Sequence, residues 1–282
     1  MKIASLKRAS LGCSLCLLVL VAGCCVHMGS CFRAKHKRTE KLSAPIEPGS
    51  TLLAETSFGS ITITGADVAD CEVTAEISVQ APTKEEAQQI AEQVQVKLES
   101  TGKTLTLDVE KPKLKCNRSV GVSFEITVPK RTNIECETSF GKIKVSDIDG
   151  NVKAHTGFAA IEADDIQGAV HLETSYGQVS CRRITPTELL ARSSFGAINI
   201  VCSPQTKPEI NADIETSFGE IDFVAPPNFS GRVQLETSFG SIDTDLPLTV
   251  KGSLSEDKIK GSIGDGNGSL RLKTSFGSIK LR

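Results

Sequence analysis

Residues 55–63 read ETSFGSITI, and the same words return as ETSFGKIKV at 137–145 and ETSYGQVSC at 173–181. They return again as ETSFGEIDF at 215–223, ETSFGSIDT at 236–244 and KTSFGSIKL at 273–281. HTGFAAIEA at 155–163 and RSSFGAINI at 192–200 are looser copies. From Phe140 the aromatic position recurs at Phe158, Tyr176, Phe195, Phe218, Phe239 and Phe276, at intervals of 18, 18, 19, 23, 21 and 37 residues. A short, nearly constant period is the sequence signature of a solenoid. Eighteen residues bury no core alone, but stacked coils do.

Parity gives the expected interior. Ile134, Cys136, Thr138 and Phe140 share one face of a strand, with Val152, Ala154, Thr156 and Phe158 as their equivalents one coil later. After the ring the phase slips, because Ile143 and Val145 are apolar at the opposite parity. A strand changes phase only by bending, and Gly141 stands at the slip, where a missing Cβ permits a corner. Each coil therefore reads as strand, glycine corner, short strand and turn. The rings Phe58, Phe140, Phe158, Tyr176, Phe195, Phe218, Phe239 and Phe276 are expected inside the core. Gly59, Gly141, Gly177, Gly196, Gly219, Gly240 and Gly277 are expected at the corners.

The outward positions alternate in charge. The residue opening each motif runs Glu137, His155, Glu173, Arg192, Glu215, Glu236, Lys273, and consecutive coils should bring these side chains into contact. Glu215 and Glu236 alone put like charges together, which the longer loop between those coils would offset.

The segment before the repeats differs. Cys71–Val79, Leu105–Val109 and Val120–Val128 alternate with period 2 and read as half-buried strands. Thr83-Lys84-Glu85-Glu86 has the pattern of a capping box, and Ala87, Ile90, Ala91, Val94 and Leu98 follow at helical spacing, which predicts one helix over 83–99 closed by Gly102. The expected organisation is an N-terminal β region at 51–130 and a solenoid of coils of about 18–23 residues at 131–282.

Residues 1–23 read as a signal peptide. Lys2, Lys7 and Arg8 precede an apolar run of about 12 residues, short for a membrane span. The run ends in Leu20-Val21-Ala22-Gly23-Cys24. This resembles a bacterial lipobox, which implies cleavage before Cys24 and lipidation of its thiol. Residues 24–50 then read as the lipid anchor and a flexible tether, interrupted by Pro45 and Pro48 and averaging roughly 30 Å end to end. Its basic run at 33–38 suits either anionic headgroups or a solvated linker.

Other classes find little support. Net charge is −2, so nucleic acid gains no global electrostatic attraction. The ten cysteines include five within the folded part, Cys71, Cys116, Cys136, Cys181 and Cys202, with no CxxC among them and no zinc spacing. Cys71, Cys136, Cys181 and Cys202 fall at apolar parity, and Cys116 stands in an expected loop. His155 near Glu137 has the residue types of a general base pair, yet it fills a slot that Glu fills in other coils. Asp147, Asp149, Asp164 and Asp165 lack any calcium-loop spacing and read as turn acids. No catalytic, cofactor or metal residues are assigned.

The repeats, here Thr138-Ser139-Phe140-Gly141-Lys142-Ile143 and its copies, resemble those of the bacterial "putative adhesin" domain family of unknown function. So do the strand-and-helix region before them and the Gly-rich turn Gly261–Gly268 before the last copy. The resemblance covers about residues 50–282 as one domain and implies a β-solenoid without catalytic residues. The expected protein is a non-enzymatic, lipid-anchored binding or scaffolding module of the cell envelope. It would face the periplasm or exterior, at the outer membrane where the host has one, with an envelope glycan or protein as partner. The alternatives are an envelope sensor or accessory protein of a regulatory system and, further off, a glycan-cleaving β-helix.

Overall fold

The computed structural model describes residues 34–250 and 257–282. The signal peptide at 1–23 and the lipidation site Cys24 lie outside the described residues. Among the described residues there are 21 strands and one helix, and the strands form one continuous hydrogen-bonded network. Arg33–Arg282 is a single compact unit.

The network folds into two faces with an apolar core between them. On the first face the strands Thr51–Phe58, Asn133–Phe140 and Val152–Thr156 pair in parallel, followed by the later parts of Ile161–Thr174 and Val179–Ser193 and then by Asn211–Phe218. On the second face Ile61–Ala66, Ile143–Asp149 and the early parts of the same two long strands pair in parallel, followed by Ile198–Cys202 and Ile221–Val224. Leu52, Ala54, Ile134, Cys136, Leu172 and Ile214 from one face meet Ile61, Ile63, Ile143, Val145, Ile161 and Phe223 from the other, all buried. The β-solenoid expected from the 18-residue period is the fold. ETSFGSITI is one of its rungs, because Glu55 lies against Glu137 and Ile61 against Ile143.

The corner explains the wording of the repeat. Each coil's motif Thr or Ser is turned inward, and its hydroxyl donates to the carbonyl of the corner residue in the neighbouring coil. Thr138 reaches Gly59, Thr156 reaches Gly141, Thr174 reaches Ala159, Ser193 reaches Gly177 and Thr216 reaches Gly196, at 3.0–3.2 Å. A buried hydroxyl needs such a partner, and so does a carbonyl that turns out of a strand ladder. The same close approach selects glycine. A Cβ on Gly141 would overlap the Gly59 carbonyl, and one on Gly196 would overlap that of Gly177.

Several expectations are corrected. The rings are not in the core. Thr138 is fully buried while Phe140 is 48% exposed, so the chain turns before the ring and not after it. The corner is already filled by hydroxyls and closely spaced backbone, and the ring is left outside. The tether is also partly structured. Ala34–Pro45 is a strand paired antiparallel along its full length with Asp70–Ala81. Its sequence is too polar to show an apolar alternation, and only Leu42 and Ala44 pack on the core. The helix is shorter than 83–99. It spans Lys84–Gln93, and Gln95–Thr101 is a strand that puts Leu98 beside Leu107, with Gly102 in the hairpin turn at a φ of 61°. Thr83 caps the helix through the Glu86 amide as expected, but the Glu86 carboxylate pairs with Arg118 instead of closing the box.

The last coil breaks sequence order. Gly268–Phe276 lies between Asn211–Phe218 and Gly231–Phe239, parallel to both. The expected Glu215–Glu236 contact therefore does not form, because Lys273 stands between them, 3.1 Å from Glu215. The like-charged neighbours are instead Glu55 and Glu137. Lys258–Ile263 then covers the outer edge of Gly231–Phe239 as an antiparallel strand.

Two substitutions test the corner. Gly196→Ala should destabilise the protein by about 1–3 kcal/mol through overlap with the neighbouring backbone. Thr156→Val, which keeps the volume but strands the Gly141 carbonyl, should cost about 1–3 kcal/mol. Both are read as shifts of the urea unfolding midpoint, and a neutral Thr156→Val would remove the hydroxyl from the account.

Candidate binding surface

The eight rings form one column. In spatial order it runs Phe58, Phe140, Phe158, Tyr176, Phe195, Phe218, Phe276, Phe239, with centroids 4.7–5.0 Å apart and planes within 7° of parallel. Seven intervals at this spacing make a strip about 34 Å long, set by the separation of paired strands. Parallel rings so spaced are offset stacks, a favoured arrangement. Each inner ring has both faces covered by neighbours and turns its edge to solvent. The terminal rings Phe58 and Phe239 each have one face without a ring against it.

The flanks are small and mostly uncharged. The residue before the ring is Ser in seven copies and Gly157 in the other. After each corner comes a residue such as Ser60, Ala160, Ala197 or Ser278, with Lys142 and Glu220 the charged members. Those two are engaged with the coil beside them, Lys142 with Glu162 at 2.6 Å and Glu220 with Lys280 at 2.5 Å. The strip is thus a ridge of carbon with little charge close to it.

The charged rows lie further along the first face. Lys153 pairs with Glu135 and Arg271 with Asp213, while Arg192 lies 3.7 Å from Glu173 and 3.9 Å from Asp213. Such exposed pairs are screened by water and add little to folding. Glu236 is held below the usual carboxylate range by its hydrogen bond from Lys258. Its small contribution to folding is therefore present above the ordinary carboxylate pKa and fades as pH falls through the lowered one.

The other candidates are placed as follows. His155 lies in register between Glu137 and Glu173, one slot in the charge row, and His171 Nε2 is 3.3 Å from Glu173 Oε1 on the same exposed face. Asp147 and Asp165 occupy left-handed backbone positions, φ 60° and 53°, at the second corner of the coil, and Arg183 stands in the next coil at 52°. Arg183 pairs with Asp164 at 2.7 Å and Asp165 at 2.9 Å, so an arginine neutralises the expected turn acids there. Among the described residues no group of three or more His, Cys, Asp or Glu side chains could hold a metal ion.

Cys71, Cys136, Cys181 and Cys202 are buried, as their parity indicated, and Cys116 is exposed, as expected of a loop position; all five are free. Burial pushes the thiols of Cys71, Cys136 and Cys202 up to about 12, and that of Cys181 in the same direction. Sequence reasoning found the ring positions but put them inside. The signal that could have corrected this is the Ser or Gly before each ring, which leaves the corner with no apolar neighbour.

A family profile described as Toastrack DUF4097 matches residues 76–282, most of the chain. The match begins after ETSFGSITI, yet the pairing of Thr51–Phe58 with Asn133–Phe140 makes that first copy part of the same solenoid. No curated protein matches. Among solved structures, a "putative cell adhesion protein" from Clostridium sporogenes is similar at 15% identity and a TM-score of 0.39, over 86% of this chain and 99% of that one. A "putative adhesin" from Bacteroides fragilis is similar at 14% identity and a TM-score of 0.37, over 87% and 97%. A "putative lipid binding protein" from Parabacteroides distasonis is similar at 13% identity and a TM-score of 0.36, over 87% and 97%.

Two outcomes follow from the placement of these residues. Phe158→Ala should cost about 1–3 kcal/mol, the stacking with two neighbours, and not the larger loss of a core aromatic; thermal unfolding measures it. Alkylation of the native protein at neutral pH, mapped by mass spectrometry across Cys71, Cys116, Cys136, Cys181 and Cys202, should mark Cys116 alone, with the other four reacting after denaturation.

Proposed function

The chain belongs to the Toastrack DUF4097 family, and we propose that it is a non-enzymatic binding or scaffolding module of the cell envelope whose contact surface is the ring column. The observation that carries this reading is the exposure of eight stacked rings in one uninterrupted strip. An ordinary monomer seldom leaves a contiguous apolar strip in water, and such a strip, rimmed by polar residues, marks a surface that meets a partner. Its flanking Ser, Gly and Ala residues let that partner approach closely. Binding energy would come from covering ring edges along several coils, which favours an extended glycan or protein over a compact ligand.

The envelope setting rests on the sequence pattern at residues 1–24, where the lipobox-like Cys24 supplies the anchor. Multiple acyl chains on one cysteine hold a protein stably at a membrane. No helix of the described residues is long and apolar enough to cross one. Nine residues, 25–33, separate Cys24 from the strand Ala34–Pro45.

The reading is tested in two parts. Mild crosslinking in the native envelope should capture a partner with the wild-type protein and with Lys153→Ala. It should lose that partner with a Phe140→Ser/Phe195→Ser variant that folds, and equal capture by all three would overturn the contact surface. Incorporation of a radioactive fatty acid should disappear in Cys24→Ser, and continued labelling would overturn the anchor.

A further inference from the structure

The column stops at Phe58 for a reason visible in the register. Beyond Ile61–Ala66 the solenoid continues with Ser119–Pro129, which pairs in parallel so that Ile61 lies against Phe124. The corner bond continues too, since Thr56 Oγ1 donates to the Val122 carbonyl at 3.2 Å, as Thr138 does to that of Gly59. Val122 thus holds the corner position. Phe58 precedes Ile61 by three residues, and the residue three before Phe124 is Gly121. A Cβ on Gly121 would lie 3.8 Å from the Phe58 Cβ, which places it directly beside the ring-bearing residue. This rung has the ring position but no ring.

A cavity of about 420 Å³ occupies that place. Phe58, Leu114, Val120 and Gly121 give it apolar walls, and Lys111 and Arg118 line it as cations. Its volume is in the range of small-molecule sites. Arg118 is held in position by Glu86 at 2.6 Å and by the Cys116 carbonyl at 2.6 Å. Lys111 is half-buried, and that burial holds its ammonium below the usual lysine range.

The geometry points to a binding site here for a planar aromatic ring that carries an anionic group. The ring would stack against the face of Phe58 that no ring covers, as the ninth member of the column, with its charge met by Lys111 and Arg118. Every inner ring face in the column shows what this slot accepts, a second ring 4.7–5.0 Å away. The opposite end differs: Phe239 is 67% exposed. This site is separate from the side of the column and stands or falls independently of the function proposed above.

Titration of the protein with 2-naphthoate, followed by amide NMR, tests it. Shifts should concentrate at Phe58, Lys111 and Gly121. Phe58→Leu, which keeps an apolar side chain but removes the ring face, should weaken binding about tenfold. Lys111→Gln should weaken 2-naphthoate but leave the uncharged 2-naphthalenemethanol unaffected. Lys153→Ala should change nothing, and cyclohexanecarboxylate should not bind. No shifts at millimolar 2-naphthoate, equal loss in Lys153→Ala, or equal binding of cyclohexanecarboxylate would each overturn the site. A short peptide ending in Phe with a free carboxylate, run beside 2-naphthoate, tells a chain terminus from a free aromatic acid as the source of the ring.

Discussion

The structure depends on the hydrogen-bonded spacing of parallel strands between coils. Once backbone ladders hold successive coils about 4.8 Å apart, every feature of a coil is repeated at that distance from itself. Glycine is needed where two corner backbones meet, because a Cβ at Gly141 or Gly196 has a carbonyl in its place. A hydroxyl is needed beside it, because the same carbonyl, of Gly59 or Gly177, must find a donor, Thr138 or Ser193. An aromatic ring is well placed outside it, because the strand spacing is also a stacking distance for offset rings. One constraint thus accounts for the Thr, the ring and the Gly of each copy.

The same constraint makes the ends of the solenoid distinctive. A coil with no neighbour leaves an open strand edge. At one end the antiparallel strands Ala34–Pro45 and Asp70–Ala81 extend the second face, and the helix Lys84–Gln93 buries Ala87 and Ala91. At the other, Gly268–Phe276 returns between two earlier strands and Lys258–Ile263 covers the outer edge. Charge agrees with this return, since Lys273 separates Glu215 from Glu236 and Arg271 reaches Asp213. The column ends differently at each side for the same reason: Phe239 closes the last rung, whereas the first cap strand carries Gly121 at the ring position.

The functional reading follows from what the corner excludes. A ring that cannot enter the core is held in water at about half exposure by its neighbours alone, and eight of them together become a surface. The histidines and acids that a catalytic reading would use are spread along charge rows, one or two per coil, and paired with the coils beside them.

Particular residues show how far the sequence carries. The 18-residue period, Gly141 at the phase slip, and the burial of Cys136 and Cys181 were all readable, because each depends on composition repeated at a fixed interval. Phe140 was not. Its parity matched Ile134 and Thr138, and a bend moved by one residue reverses the side a residue faces without altering the sequence pattern. Residues 34–45 were also hidden, since a strand at an edge draws its hydrogen bonds from a partner and needs little apolar alternation of its own. The sequence by itself determined that this chain stacks short coils around an apolar core with glycine at each corner. Only the tertiary structure decided that the rings stand outside, that the last coil inserts before the one preceding it, and that Gly121 meets Phe58. Those three outcomes depend on how backbones from distant segments pack against each other, which no local pattern encodes.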